Sequence, residues 1–76
     1  MEHLRAHRKS LGVSQSKLAR LSGVSRFKIC TFELGGGTLS LDDQRRIRTA
    51  LEGEAARMRS VVAHVPFEPA GKTEGA

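Results

Sequence analysis

Three times along this chain a glycine is followed within a few residues by a serine: Gly12 then Ser14, Gly23 then Ser25, and Gly35 to Gly37 then Ser40. Glycine readily takes the positive-φ conformation that ends a helix, and serine is a preferred cap for the next. This punctuation divides the chain into short helical segments. It predicts a first helix over residues 2–11 and a second over "QSKLARLS", capped by Ser14. Ser25 caps a third through "RFKICTFEL", and Ser40 with Asp43 forms a weak capping box opening a fourth, "LDDQRRIRTALE". Gly53 is then expected to break or bend the chain before a fifth helix over 54–65, whose stripe is Ala55, Met58, Val62 and Val65.

Apolar periodicity supplies the inner faces: Leu4, Arg8 and Leu11 on the first helix, Leu18, Ala19 and Leu21 on the second, and Leu41, Ile47, Ala50 and Leu51 on the fourth. Asp42 and Asp43 suit the positive end of the fourth helix. No stretch alternates as a strand does, and no internal repeat is present. The expectation is an all-α fold, a compact bundle of about five short helices forming one domain over residues 1–65, with residues 66–76 a disordered tail rich in Pro, Gly and small polar residues.

Seventy-six residues limit the chain to one small domain, burying roughly 60% of its unfolded surface. With no Trp or Tyr, its core must come from Leu, Val, Ile, Ala and three Phe. The single Cys30 cannot form an internal disulfide and fits a reducing compartment as a small half-buried residue. "MEHLRAHRK" lacks the apolar run of a signal peptide and no long apolar segment follows, so a soluble cytoplasmic protein, not a membrane one, is expected.

Charge is distributed unevenly. Residues 1–33 carry seven Lys or Arg against two Glu, residues 34–65 five against four acids, and residues 66–76 one against two. A basic N-terminal half points to an anionic partner, with nucleic acid ahead of an acidic membrane surface.

The second and third helices, joined by a turn at Gly23, must cross steeply and leave the third prominent on the surface, the shape of a helix-turn-helix. Taking Ile29 as its core direction and about 100° per residue, Phe32 and Glu33 fall roughly 60° and 40° from the core, whereas Phe27 and Thr31 each lie roughly 160° away. Phe27 and Thr31 therefore face outward, flanked by Arg26 and Lys28. Arg or Lys suits guanine O6 and N7, an apolar group suits a thymine methyl, and a hydroxyl suits either.

The stretch from Leu4 to Leu51 resembles the Cro and phage-repressor-like helix-turn-helix domains, also called the xenobiotic-response-element family, of which the lambda repressor is the reference fold. The resemblance rests on Arg8, Ser14 and Gln15, Leu18 and Ala19, "GVS" at 23–25, Ile29, Glu33 and Gly35, and the closing Ala50 and Leu51. It implies sequence-specific binding of double-stranded DNA and transcriptional regulation. Base contacts fall to Arg26, Phe27, Lys28 and Thr31; phosphate contacts to Gln15, Ser25, Lys17 and Thr38, the "LGGGT" loop adding only backbone amides. Arg8 and Glu33 both face inward, where an unpaired charge costs several kcal/mol and a bidentate pair offsets it; in the family these positions do pair. Family members usually bind two-fold operators as dimers, so a homodimer is expected, the fifth helix either closing the core or forming the seam.

Other readings stay beside these. Phe27 could pack on a protein, making the chain an interaction module of the same fold, antitoxin-like or coactivator-like. His3 and His7 stand one turn apart but lack a third ligand, so no metal is expected. "GGGT" lacks the lysine and strand of a phosphate-binding loop. No nucleophile, base and orienter come together and there is no room for a deep pocket, so no enzymatic activity, cofactor or small-molecule ligand is expected.

Overall fold

The computed structural model describes residues 3–64, all of whose regular structure is helical: α1 (Leu4–Ser10), α2 (Gln15–Ser22), α3 (Arg26–Glu33) and α4 (Leu41–His64). Serine caps open three of them. Ser14 Oγ accepts from the Lys17 amide at 3.0 Å, Ser25 Oγ from the Lys28 amide at 3.1 Å, and Ser40 Oγ from the Asp43 amide at 3.0 Å. Gly23 closes α2 at φ 77°, its amide donating to the Ala19 carbonyl at 2.9 Å. A residue with a Cβ is strained there, and the added carbon would also meet Arg46 at 3.3 Å.

Seven apolar side chains make the core: Leu4, Val13, Leu18, Val24, Ile29, Leu39 and Ile47, with Leu11, Ala19, Phe32, Ala50 and Leu51 packed around them. Each helix and each connection contributes at least one. Val24 sits inside the three-residue link between α2 and α3 and is buried, which draws the two helices together over the core. α2 packs against both α3 and α4.

Four helices replace the five expected, because Gly53 does not interrupt α4. An interior glycine costs about 1 kcal/mol relative to alanine. That is too little to break a helix whose neighbouring residues keep their ladder and whose next residue, Glu54, is tied to α2. The continuous α4 spans 24 residues, about 36 Å at 1.5 Å per residue. Beyond Glu54 nothing in it is buried: Ala55 is half-buried, Met58 is 36% exposed and Val62 70%. The segment from 54 onward therefore does not close the chain's own core.

Two apolar positions also face away from it. Leu41 stands six residues before Ile47, about 120° around the helix, and is 76% exposed, while Leu39, just before the cap, fills the core in its stead. Leu21 is exposed at the end of α2. Among the described residues helix one runs Leu4–Ser10. Glu2, Val65 and the whole 66–76 segment lie outside the described residues. No helix of the described residues is long and apolar enough to cross a membrane.

Candidate nucleic-acid interface

α3 is anchored on one side and open on the other. Ile29 is wholly buried, whereas Phe27, two residues earlier, is 77% exposed. Arg26 and Lys28 on either side are also exposed, and Arg26 has no hydrogen-bond or ion-pair partner among the described residues. Lys28 Nζ lies 3.4 Å from Asp43 Oδ2 on the first turn of α4. An exposed pair at that distance contributes about 0–1 kcal/mol, little enough for Lys28 to exchange it for another anion.

Thr31 does not stand as free as its helical angle predicts. The glycine loop folds back over it, the Gly36 amide donating to the Thr31 carbonyl at 2.9 Å. A Cβ on Gly37 would come within 3.2 Å of Thr31 Cγ2. Thr31 is half-buried as a result. The outward row continues instead through Leu34, seven residues after Phe27 on the same face and 75% exposed. The seven-residue spacing was the signal for Leu34, obscured by its place beside the three glycines.

The expected phosphate contacts separate into two groups. Thr38 is exposed at the loop. Ser25 uses its hydroxyl oxygen to cap α3. Gln15 donates from Nε2 to Glu33 Oε1 at 3.0 Å, which occupies one of its two amide protons. Lys17 turns towards α4, its Nζ donating to Glu54 Oε2 at 3.0 Å.

Behind this surface, Arg8 holds α1, α3 and the α1–α2 link together. Its Nε donates to Glu33 Oε2 at 2.7 Å, one terminal nitrogen to Glu33 Oε1 at 2.9 Å, and the other to the Val13 carbonyl at 2.9 Å. The two side chains are only 9% and 2% exposed. The Arg8 hydrogen bonds hold the Glu33 carboxyl below its ordinary pKa, against the opposing effect of burial and with help from Gln15. The same hydrogen bonds raise the Arg8 pKa.

A second buried carboxylate, Glu54, escapes sequence reading. It is 6% exposed and accepts hydrogen bonds from Arg57, one turn on, and from Lys17. These contacts, Arg57 first, lower its pKa to about 2. The Arg57 spacing was visible in the sequence; Lys17 stands 37 residues away, with nothing local to link the two.

Both glutamates have depressed pKa values in the folded state. Their stabilisation is therefore complete above the ordinary carboxylate pKa and is lost as pH falls below it, for Glu54 between about 4.5 and about 2. Thermal melts followed by circular dichroism should show Tm dropping through that window, and Glu54→Gln should lower Tm at pH 7 while flattening the acid slope. An unchanged Tm between pH 5 and pH 2.5 would contradict both assignments.

No protein-family model, no curated protein and no solved structure matches the chain. Among the described residues no three His, Cys, Asp or Glu side chains come together as a metal site.

Proposed function

We propose that this chain binds double-stranded DNA in a sequence-specific manner and regulates transcription, reading the major groove with the outer face of α3. On this reading α2, its three-residue link and α3 form a helix-turn-helix of the Cro and lambda-repressor type. The observation that carries the proposal is Phe27, 77% exposed between two exposed cations on a helix whose opposite side is locked by Ile29. An aromatic held out in water beside Arg26 and Lys28 has the chemistry of a thymine-methyl contact next to guanine-reading cations. Gln15, at the first turn of α2, has a second amide proton left for backbone phosphate. Thr38 is a further phosphate contact; Lys17 is a weaker one, since Glu54 competes for it.

One observation favours a second reading. Leu34 extends the exposed apolar row beyond Phe27, and an apolar row suits a protein groove better than a phosphate-lined one. The two readings differ in salt dependence. Counterion release gives a log–log slope of roughly −0.9 per phosphate neutralised, whereas docking of an apolar row is nearly indifferent to salt. On the DNA reading, Arg26→Ala weakens binding to the preferred duplex by about 1–3 kcal/mol and relaxes preference at one base position. Gln15→Ala weakens binding to all duplexes alike. Fluorescence anisotropy with matched and mismatched duplexes measures both, and loss that is equal for every sequence in the Arg26 variant would argue against base reading.

A further inference from the structure

We propose that the groove between the end of α2 and the middle of α4 is a docking site for an acidic amphipathic helix of another protein, which lies along α4 and approaches it most closely at Gly53. The proposal stands independently of the DNA reading, because no residue of α3 lines the groove.

Gly53 is the oddity that points to the site. A glycine inside a helix costs stability relative to alanine, and nothing within the fold asks for one here. Its φ is not in the left-handed region, and a Cβ at this position would meet nothing within 4 Å. Glycine also serves where a second backbone must come close, and Gly53 lies on the floor of a groove of about 580 Å³. Arg45, Thr49 and Gly53 make one row along α4, and Arg46, Ala50 and Glu54 the next, both at the four-residue spacing of helix-packing ridges. Leu21, 47% exposed, and Ser22 form the facing wall. The groove thus follows α4 for roughly two and a half turns, a shape for an elongated occupant and not for a compact ligand. Along the first row the side chains shrink from arginine to threonine to hydrogen, so a helix laid there sits closest at Gly53.

The charges set the sign of the partner. At one end Asp42 is shared by Arg46 at 2.8 Å and Arg45 at 4.0 Å. At the other, Glu54 is shared by Lys17 and Arg57. Each end holds two cations on one carboxylate and keeps one positive charge uncompensated. The three arginine side chains are 73%, 55% and 58% exposed for Arg45, Arg46 and Arg57, so each can turn to a further carboxylate. A helix with acidic side chains roughly two turns apart, and a large apolar side chain between them seated on Leu21 and Ala50, complements both ends and the floor.

The full chain is used to select from a displayed library of helical peptides randomised along one face. The expected winners carry Asp or Glu on either side of a large apolar residue, and their binding shifts the amide resonances of Leu21, Thr49, Ala50 and Gly53. Arg45→Glu weakens the selected peptide by about tenfold. Gly53→Ala separates a binding role from a purely structural one. It raises Tm by about 4–8 °C, as a better helix former, yet weakens the peptide by about tenfold because the new methyl group stands in the close approach. A Gly53→Ala protein that gains stability and binds the peptide unchanged would overturn the proposal. So would a library that yields no binders, winners that are basic or uncharged, or resonance shifts centred on Phe27 and Leu34.

Discussion

Glu33→Ala lowers the stability of this protein by about 3–5 kcal/mol, the cost of leaving a buried charge without its partner. A chain of 76 residues has roughly 4–11 kcal/mol of stability in total, so the substitution removes about half of it in the middle of that range. The cost is large because Glu33 satisfies two donors of Arg8 and one of Gln15, and because both side chains of the ion pair are nearly out of water. Changing both partners to apolar residues, in R8M/E33L, recovers only part of the loss. The Val13 carbonyl then loses its buried donor, worth about 1–3 kcal/mol. Urea unfolding of the two variants measures the difference; equal stability of Glu33→Ala and the unaltered chain would remove Arg8 from its place as the tie between α1 and α3.

Ile29→Ala and Phe27→Ala should behave as opposites although they remove side chains two residues apart on one helix. Ile29 is fully enclosed by core neighbours, so truncation leaves a cavity and costs about 2–5 kcal/mol. Phe27 is 77% exposed, so its truncation changes stability by no more than about 0.5 kcal/mol. On the DNA reading Phe27→Ala instead weakens binding to the preferred duplex. A Phe27 variant as unstable as the Ile29 one would mean that the aromatic packs inward and that the outer face of α3 is not what it is taken to be.

How far the fold could be read in advance depended on how local each signal was. Ser14, Ser25 and Ser40 act within one turn of their own helices, and all three caps are where the sequence puts them. The inward direction of Arg8 follows from its spacing with Leu4 and Leu11, and that of Glu33 from Ile29. Gly53 misleads because its helical cost, about 1 kcal/mol, is judged without the tertiary tie of Glu54 to Lys17 that lies beside it. Leu41 misleads because a hydrophobic residue at a helix start looks like part of the stripe, whereas Leu39 had already filled that part of the core.

The candidate site divides in the same way. Helical angles alone put Phe27 outside and Ile29 inside. They could not show the glycine loop covering Thr31, since a loop's path is set by contacts distant in sequence. Nor could they show Lys28 drawn to Asp43 or Lys17 to Glu54, pairs that form only once α4 is packed against α2.

The central claim is that the outer face of α3 reads DNA sequence. Selection of bound duplexes from a random pool by the full chain tests it most directly. Recovery of a common motif, altered at one position when Arg26→Ala is used and lost with rising salt, is the predicted result. A bound pool with no shared motif, or no retained DNA at low salt, would contradict the claim and leave Phe27 and Leu34 as a surface for protein.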